Sequence, residues 1–82
     1  MIPDLLNQKV VVGSKQLRKA LRDRRAKCVF LAKNADPAMT NPIAQLCMES
    51  GVKAVWCQTM AELGRACGID VGASAAAVLD EI

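Results

Sequence analysis

The 82-residue sequence predicts an α/β protein, a three-layer α/β/α sandwich around a central, mixed, four-stranded sheet, in a single domain spanning residues 1–82. Three observations carry that prediction. Short apolar runs of β-branched residues alternate with amphipathic segments of helical period. The connections are short and marked by Gly, Pro, Asp and Asn, as in layered α/β folds. Hydrophobic residues make up 52% of the chain, enough for a core in a domain of a size that buries only about 60% of its unfolded surface.

In chain order, residues 3–7 suggest a small N-terminal helix. Val10 to Val12 is an apolar run closed by Gly13, and Ser14 reads as the N-cap of a helix over "KQLRKALRD". "KCVFLA", residues 27–32, is the continuous β-rich run of a strand covered on both faces. In "KNADPAMTNP", Asp36-Pro37 and Asn41-Pro42 each read as a cap followed by proline at a first helical position. The helix is placed from Pro42, with Ile43, Leu46 and Cys47 on one side and Gly51 as its stop. "VKAVWC", residues 52–57, is a further strand; Thr59 and Glu62 then form a Thr-x-x-Glu capping box for a short helix ending near Gly68. Past the loop "GIDVGAS", residues 75–79 form the last strand.

Several function classes are disfavoured. Four cysteines, Cys28, Cys47, Cys57 and Cys67, contain no CxxC pair, and the chain has no histidine, so a zinc site or a Cys–His nucleophile lacks its ligands and its base. Each sits in apolar context, as small buried hydrophobes do in a reducing compartment. No export signal opens the sequence, and the alanine-rich stretch 73–79 is far short of the roughly 20 residues that span a bilayer. The expectation is a cytoplasmic protein with no membrane partner, no cofactor and no metal.

The net charge is only +3, so the placement of the cations matters more than their number. At about 100° per residue, Leu17, Ala20 and Leu21 share one face of the first helix and Lys15, Arg18, Lys19 and Arg22 share the opposite one. A solvated basic face is the ordinary explanation of such a stripe. Against it, like charges at i,i+3 and i,i+4 repel, and three of the four lie near the helix start, where the dipole is already positive. An anionic partner offsets both costs, and amides beside Gly13 and Ser14 would add to its site. "GSKQLRKA" fits neither the GxxxxGK[ST] nor the GxGxxG nucleotide loop. Only Phe30 and Trp56 are aromatic, too few for a sheet that stacks single-stranded bases. A folded RNA, read by a helix end and by shape, fits best.

"GSKQLRKAL", "LAKNADP" and "ELGRACGIDVGASAAAVL" together resemble the kink-turn-binding ribosomal-protein family, which includes the archaeal large-subunit "seven-Ae" protein and small stand-alone bacterial homologues. The resemblance runs from about Lys9 to Leu79, and the third segment is its most specific part. It implies an α/β/α sandwich whose first basic helix enters the major groove at a kink-turn, where tandem sheared G·A pairs expose guanine edges. By position, Gly13 allows close backbone approach, Lys15 and Gln16 stand where base-edge readers lie, and Lys19 follows one turn later. Ile69, Asp70 and Val71 correspond to the apolar loop that covers splayed nucleotides, and Lys33 beside the "ADP" turn adds a phosphate contact. Archaeal members carry Asn-Glu where this chain has Lys15-Gln16; a lysine can only donate, to guanine O6 or N7 for example, so the base contacts change. The implied partner is structured RNA containing a kink-turn, with the ribosome as one setting, bound by a monomer.

Read without the family, Ile69 and Val71 either project outward as an apolar platform or fold inward as core, and Arg65 reads as solvated. Two other functions stand beside a non-enzymatic RNA-binding module. One is an assembly subunit whose basic helix meets an acidic protein; the other is a small enzyme using a cysteine or a bound nucleotide.

Overall fold

The computed structural model describes residues 9–80, and the helix suggested at residues 3–7 lies outside them. The elements are β1 (Val10–Val12), α1 (Ser14–Arg22), β2 (Ala26–Ala32), α2 (Pro37–Ser50), β3 (Lys53–Cys57), α3 (Met60–Ala66) and β4 (Ala75–Leu79). The strands form one sheet in the order β1-β4-β2-β3. β2 and β3 run parallel, with Phe30 opposite Val55, while β4 runs antiparallel to both β1 and β2. The sheet is mixed, as the sequence predicts.

Alternation along the strands divides the core in two. Val29, Leu31, Ala75 and Ala77 face α1 and α2, packing with Leu17, Ala20, Leu21, Ile43 and Cys47. Phe30, Ala76, Val78 and Cys57 face the other way and pack with Leu63 of α3. Two helices on one face and one on the other complete the sandwich. β4 is a central strand, and Ala75 to Val78 are all buried. Alanine favours helix, but a five-residue run between two strand partners is fixed by pairing and burial on both faces, which override a preference worth only tenths of a kcal/mol per residue.

Two helix starts differ from the sequence expectation. α1 is entered through Gly13, and no side chain caps it; Ser14 is its first helical residue. α2 begins five residues earlier than placed, at Pro37, with the Asp36 carboxylate accepting from the Ala38 amide at 2.9 Å. Pro42 lies inside that helix, where it removes one backbone bond at a cost of about 3 kcal/mol. Burial of Thr40 on one side of it and of Ile43 and Cys47 on the other carries the helix through. Gly51 closes α2 with φ 69° as expected.

α1 ends unusually. The Arg25 amide donates to the Ala20 carbonyl (2.9 Å) and the Arg24 amide to the Leu21 carbonyl (3.2 Å), the paired bonds of a Schellman turn. The left-handed residue there is Arg24, at φ 56°, where glycine is the usual occupant. A side chain in that region costs about 1–2 kcal/mol, partly offset by the chain entropy a glycine loses on folding. Arg24→Gly is therefore expected to stabilise the fold by about 0.5–1 kcal/mol, read from the midpoint of urea unfolding.

Candidate nucleic-acid interface

β1, β2 and β3 point the same way, so their carboxyl ends, together with the start of β4, form one rim of the sheet. Backbone bonds stitch the rim from edge to edge. The Gly13 amide donates to the Ala75 carbonyl (3.1 Å), the Ala32 amide to that of Ser74 (3.0 Å) and the Lys33 amide to that of Cys57 (2.8 Å). The Asn34 side-chain carbonyl accepts from the Met60 amide at 2.8 Å, tying the end of β2 to the start of α3. All three helices begin at this rim.

Gly13 has φ 102° and ψ 147°, a region that residues with a Cβ essentially do not enter. The turn thus requires glycine, and it aims the first turn of α1 outward from the rim. The Gly13 amide itself is used within the sheet, so an anion site here would draw on the amides that follow it. Among the described residues no side chain caps the amides of α1's first turn, which leaves the positive helix end available to an anion. Leu17, Ala20 and Leu21 are buried, while Lys15, Gln16, Arg18, Lys19 and Arg22 are exposed, matching the helical spacing.

The loop after α3 folds back along that helix. The Val71 carbonyl lies against Gly64, Gly72 packs on Met60, and the Ala73 amide donates to the Met60 carbonyl at 3.0 Å. This separates the two apolar side chains left open by the sequence. Ile69 is half-buried against the α3 side of the core, whereas Val71 is 70% exposed. Together with Arg65 and the exposed Asp70, they line an open hollow of about 320 Å³.

The fold therefore gathers Gly13, Ser14, Lys15, Gln16 and Lys33 with the base of the 69–74 loop at one rim. Arg18 and Lys19 stand on the outer face of α1. Arg22 lies apart, at the far end of the nine-residue helix, about 12 Å along its axis. There it lines a separate groove with Arg24 and Glu49. Two rim features escaped sequence reasoning. Asn34 carries no motif, since its role depends on α3 arriving beside it. Trp56 is 41% exposed, because β3 is an edge strand, which the largely apolar five-residue segment does not reveal.

The four cysteines are free. Burial pushes the Cys47, Cys57 and Cys67 thiols up from their ordinary value, with nearby Cys28 adding to the effect at Cys47, and Glu62 and Cys67 at Cys57. Such thiols stay protonated at neutral pH and are poor nucleophiles. Among the described residues, no three His, Cys, Asp or Glu side chains come together to hold a metal ion, and no helix is long and apolar enough to cross a membrane.

Residues 5–82 match the Ribosomal protein L7Ae/L30e/S12e/Gadd45 family. The chain belongs to that family. Its relatives include an RNA-binding protein of Bacillus pumilus, 43% identical over 72 residues and 88% of each chain. An RNA-binding protein of Caldanaerobacter subterraneus subsp. tengcongensis is 48% identical over 69 residues, 84% of each chain. The large ribosomal subunit protein eL8 of Halobacterium salinarum is 35% identical over 68 residues, covering 82% of this chain and 57% of that one. Among solved structures, the 15.5kD RNA binding protein of Giardia lamblia superposes with a TM-score of 0.82 at 26% identity. That match covers 88% of this chain and 61% of the Giardia protein, so the L7Ae-family fold here spans about three fifths of that longer chain.

Proposed function

We propose that this L7Ae-family protein is a non-enzymatic RNA-binding module that recognises a kink-turn and holds the RNA bent. One observation carries the reading: the Gly13–Ala75 hydrogen bond joins the open, basic start of α1 to the base of the Ile69–Val71 loop. The helix end proposed to read guanine edges and the base of the loop proposed to cover splayed nucleotides are thereby tied together at one rim. The RNA-binding relatives in two bacteria, similar over more than four fifths of the chain, support the class of partner.

In this mechanism Lys15 and Gln16 contact base edges at the sheared G·A pairs, and Gly13 and Ser14 let the backbone approach. Arg18, Lys19 and Lys33 neutralise phosphates crowded by the bend, with Arg22 reaching further along one arm. Val71 covers an unstacked nucleotide while Ile69 anchors the loop to the core, with Asp70 exposed between them. A protein that binds only the bent form shifts the RNA's bent–straight equilibrium by its difference in affinity. Ribosomal RNA is one setting for such a motif.

The deciding experiment compares a kink-turn duplex with the same duplex after its G·A pairs become Watson–Crick pairs. Binding to the second is expected to be at least about fivefold weaker, the loss of about 1–3 kcal/mol that a mismatched contact brings. Equal affinities would reduce the protein to a general polyanion binder.

A further inference from the structure

We infer that Trp56 is a stacking platform for an unstacked base of the bound RNA, with Lys33 holding the adjacent phosphate. The inference rests on the RNA-binding part of the proposed function, but not on kink-turn recognition. The chain contains one phenylalanine and one tryptophan. Phe30 is buried at 5% exposure, whereas Trp56 leaves 41% of its surface in water. Trp56 sits on β3, which among the described residues pairs with β2 alone.

Its surroundings select the ligand. Trp56 pairs with Leu31 and directly precedes Cys57, whose carbonyl accepts the Lys33 amide at 2.8 Å. The exposed Lys33 therefore leaves the rim one strand away, a spacing of about 4.8 Å. Gln58 follows the rim, while Lys53, three residues back on the same strand, falls on the opposite face of the sheet. The Asp36 carboxylate caps α2, and Glu62 of α3 is half-buried. A ligand that offers both a flat π face and negative charge matches an exposed indole beside the exposed Lys33. A nucleotide has both; an acidic peptide supplies only the charge.

Position along the rim supports the same ligand. Three strand spacings, about 15 Å, separate β1 from β3. A strand of RNA held at the Gly13 turn covers that span in a few extended nucleotides, passing Lys33 on the way. Trp56 would thus extend the footprint from the duplex junction to a single-stranded neighbour.

Trp56 is the sole tryptophan, so its fluorescence reports this site alone. The test uses a kink-turn RNA with a short single-stranded tail placed in turn on each arm, against the blunt-ended RNA. Quenching is expected with a tailed RNA and not with the blunt one. Trp56→Leu is expected to bind the tailed RNA about fivefold more weakly, at the low end for loss of one base–aromatic stack, and the blunt RNA unchanged. Trp56→Phe should keep most of the difference. Fluorescence indifferent to every tail, or a Trp56→Leu protein that still prefers the tailed RNA to the wild-type extent, would overturn the inference. Exchange of the G·A pairs tests the kink-turn reading separately, since it leaves the tail in place.

Discussion

Gly64→Ala is expected to lower the melting temperature by on the order of 10 °C, the largest loss of stability foreseen for so small a change, with about 4–8 °C lost per kcal/mol in a domain this size. A methyl group at Gly64 would overlap the Val71 carbonyl oxygen, with the Val71 carbonyl carbon at 3.1 Å and the Gly72 Cα at 3.2 Å. Every obstacle is backbone, so no rotamer change makes room and the loop must lift from α3. Overpacking of this kind costs about 1–3 kcal/mol, and the upper half of that range applies where backbone must move. Alanine regains up to about 1 kcal/mol of helix propensity. The clash outweighs that gain, leaving a net loss of about 2 kcal/mol. Calorimetry decides: a melting temperature at or above the wild-type value would mean that the loop does not close on α3. The same variant should bind RNA more weakly than its stability loss alone implies, because the displaced segment carries Val71.

Removing two cations of α1 together, Lys15→Ala with Lys19→Ala, is expected to weaken RNA binding roughly a hundredfold near physiological salt, at about a factor of ten for each contact. Both side chains are exposed, so the fold should not change, and the melting temperature serves as the control. The two contacts differ in kind. Lys19 stands on the outer helix face and acts as a phosphate neutraliser; its loss should reduce the slope of log affinity against log salt by about one. Lys15 stands at the open helix start, where a base-edge donor also confers selectivity, so its loss should narrow the gap between G·A and Watson–Crick duplexes. Unchanged affinity at both low and high salt would remove α1 from the interface.

The two variants probe parts of the molecule that were unequally legible. The faces of α1 followed from spacing alone, because burial of Leu17, Ala20 and Leu21 leaves a helix no choice about where its lysines go. The stop at Gly51 and the Thr59 cap, whose hydroxyl accepts the Glu62 amide at 3.0 Å, were equally plain, since caps are local chemistry. The start of α2 was misplaced because two cap-proline pairs stand five residues apart. Locally they are equivalent, and only the burial of Thr40 beside Ile43 selects the first. Ile69 and Val71 could not be told apart either, since their opposite fates follow from the Gly64 contact with a chain segment seven residues on.

By itself, then, the sequence determined the alternation of strands and helices, the basic face of α1 and the glycine at its entry. All of these depend on periods and turns that a few neighbouring residues set. The tertiary structure alone decided that Gly13 and Ala75, 62 positions apart, share a hydrogen bond, that β4 lies in the middle and β3 at the edge, and that Trp56 faces water. Strand order is a matter of which distant segments pair. Each strand is a short apolar run of much the same pattern, so a local reading cannot choose between them, and the choice rests on contacts between distant segments.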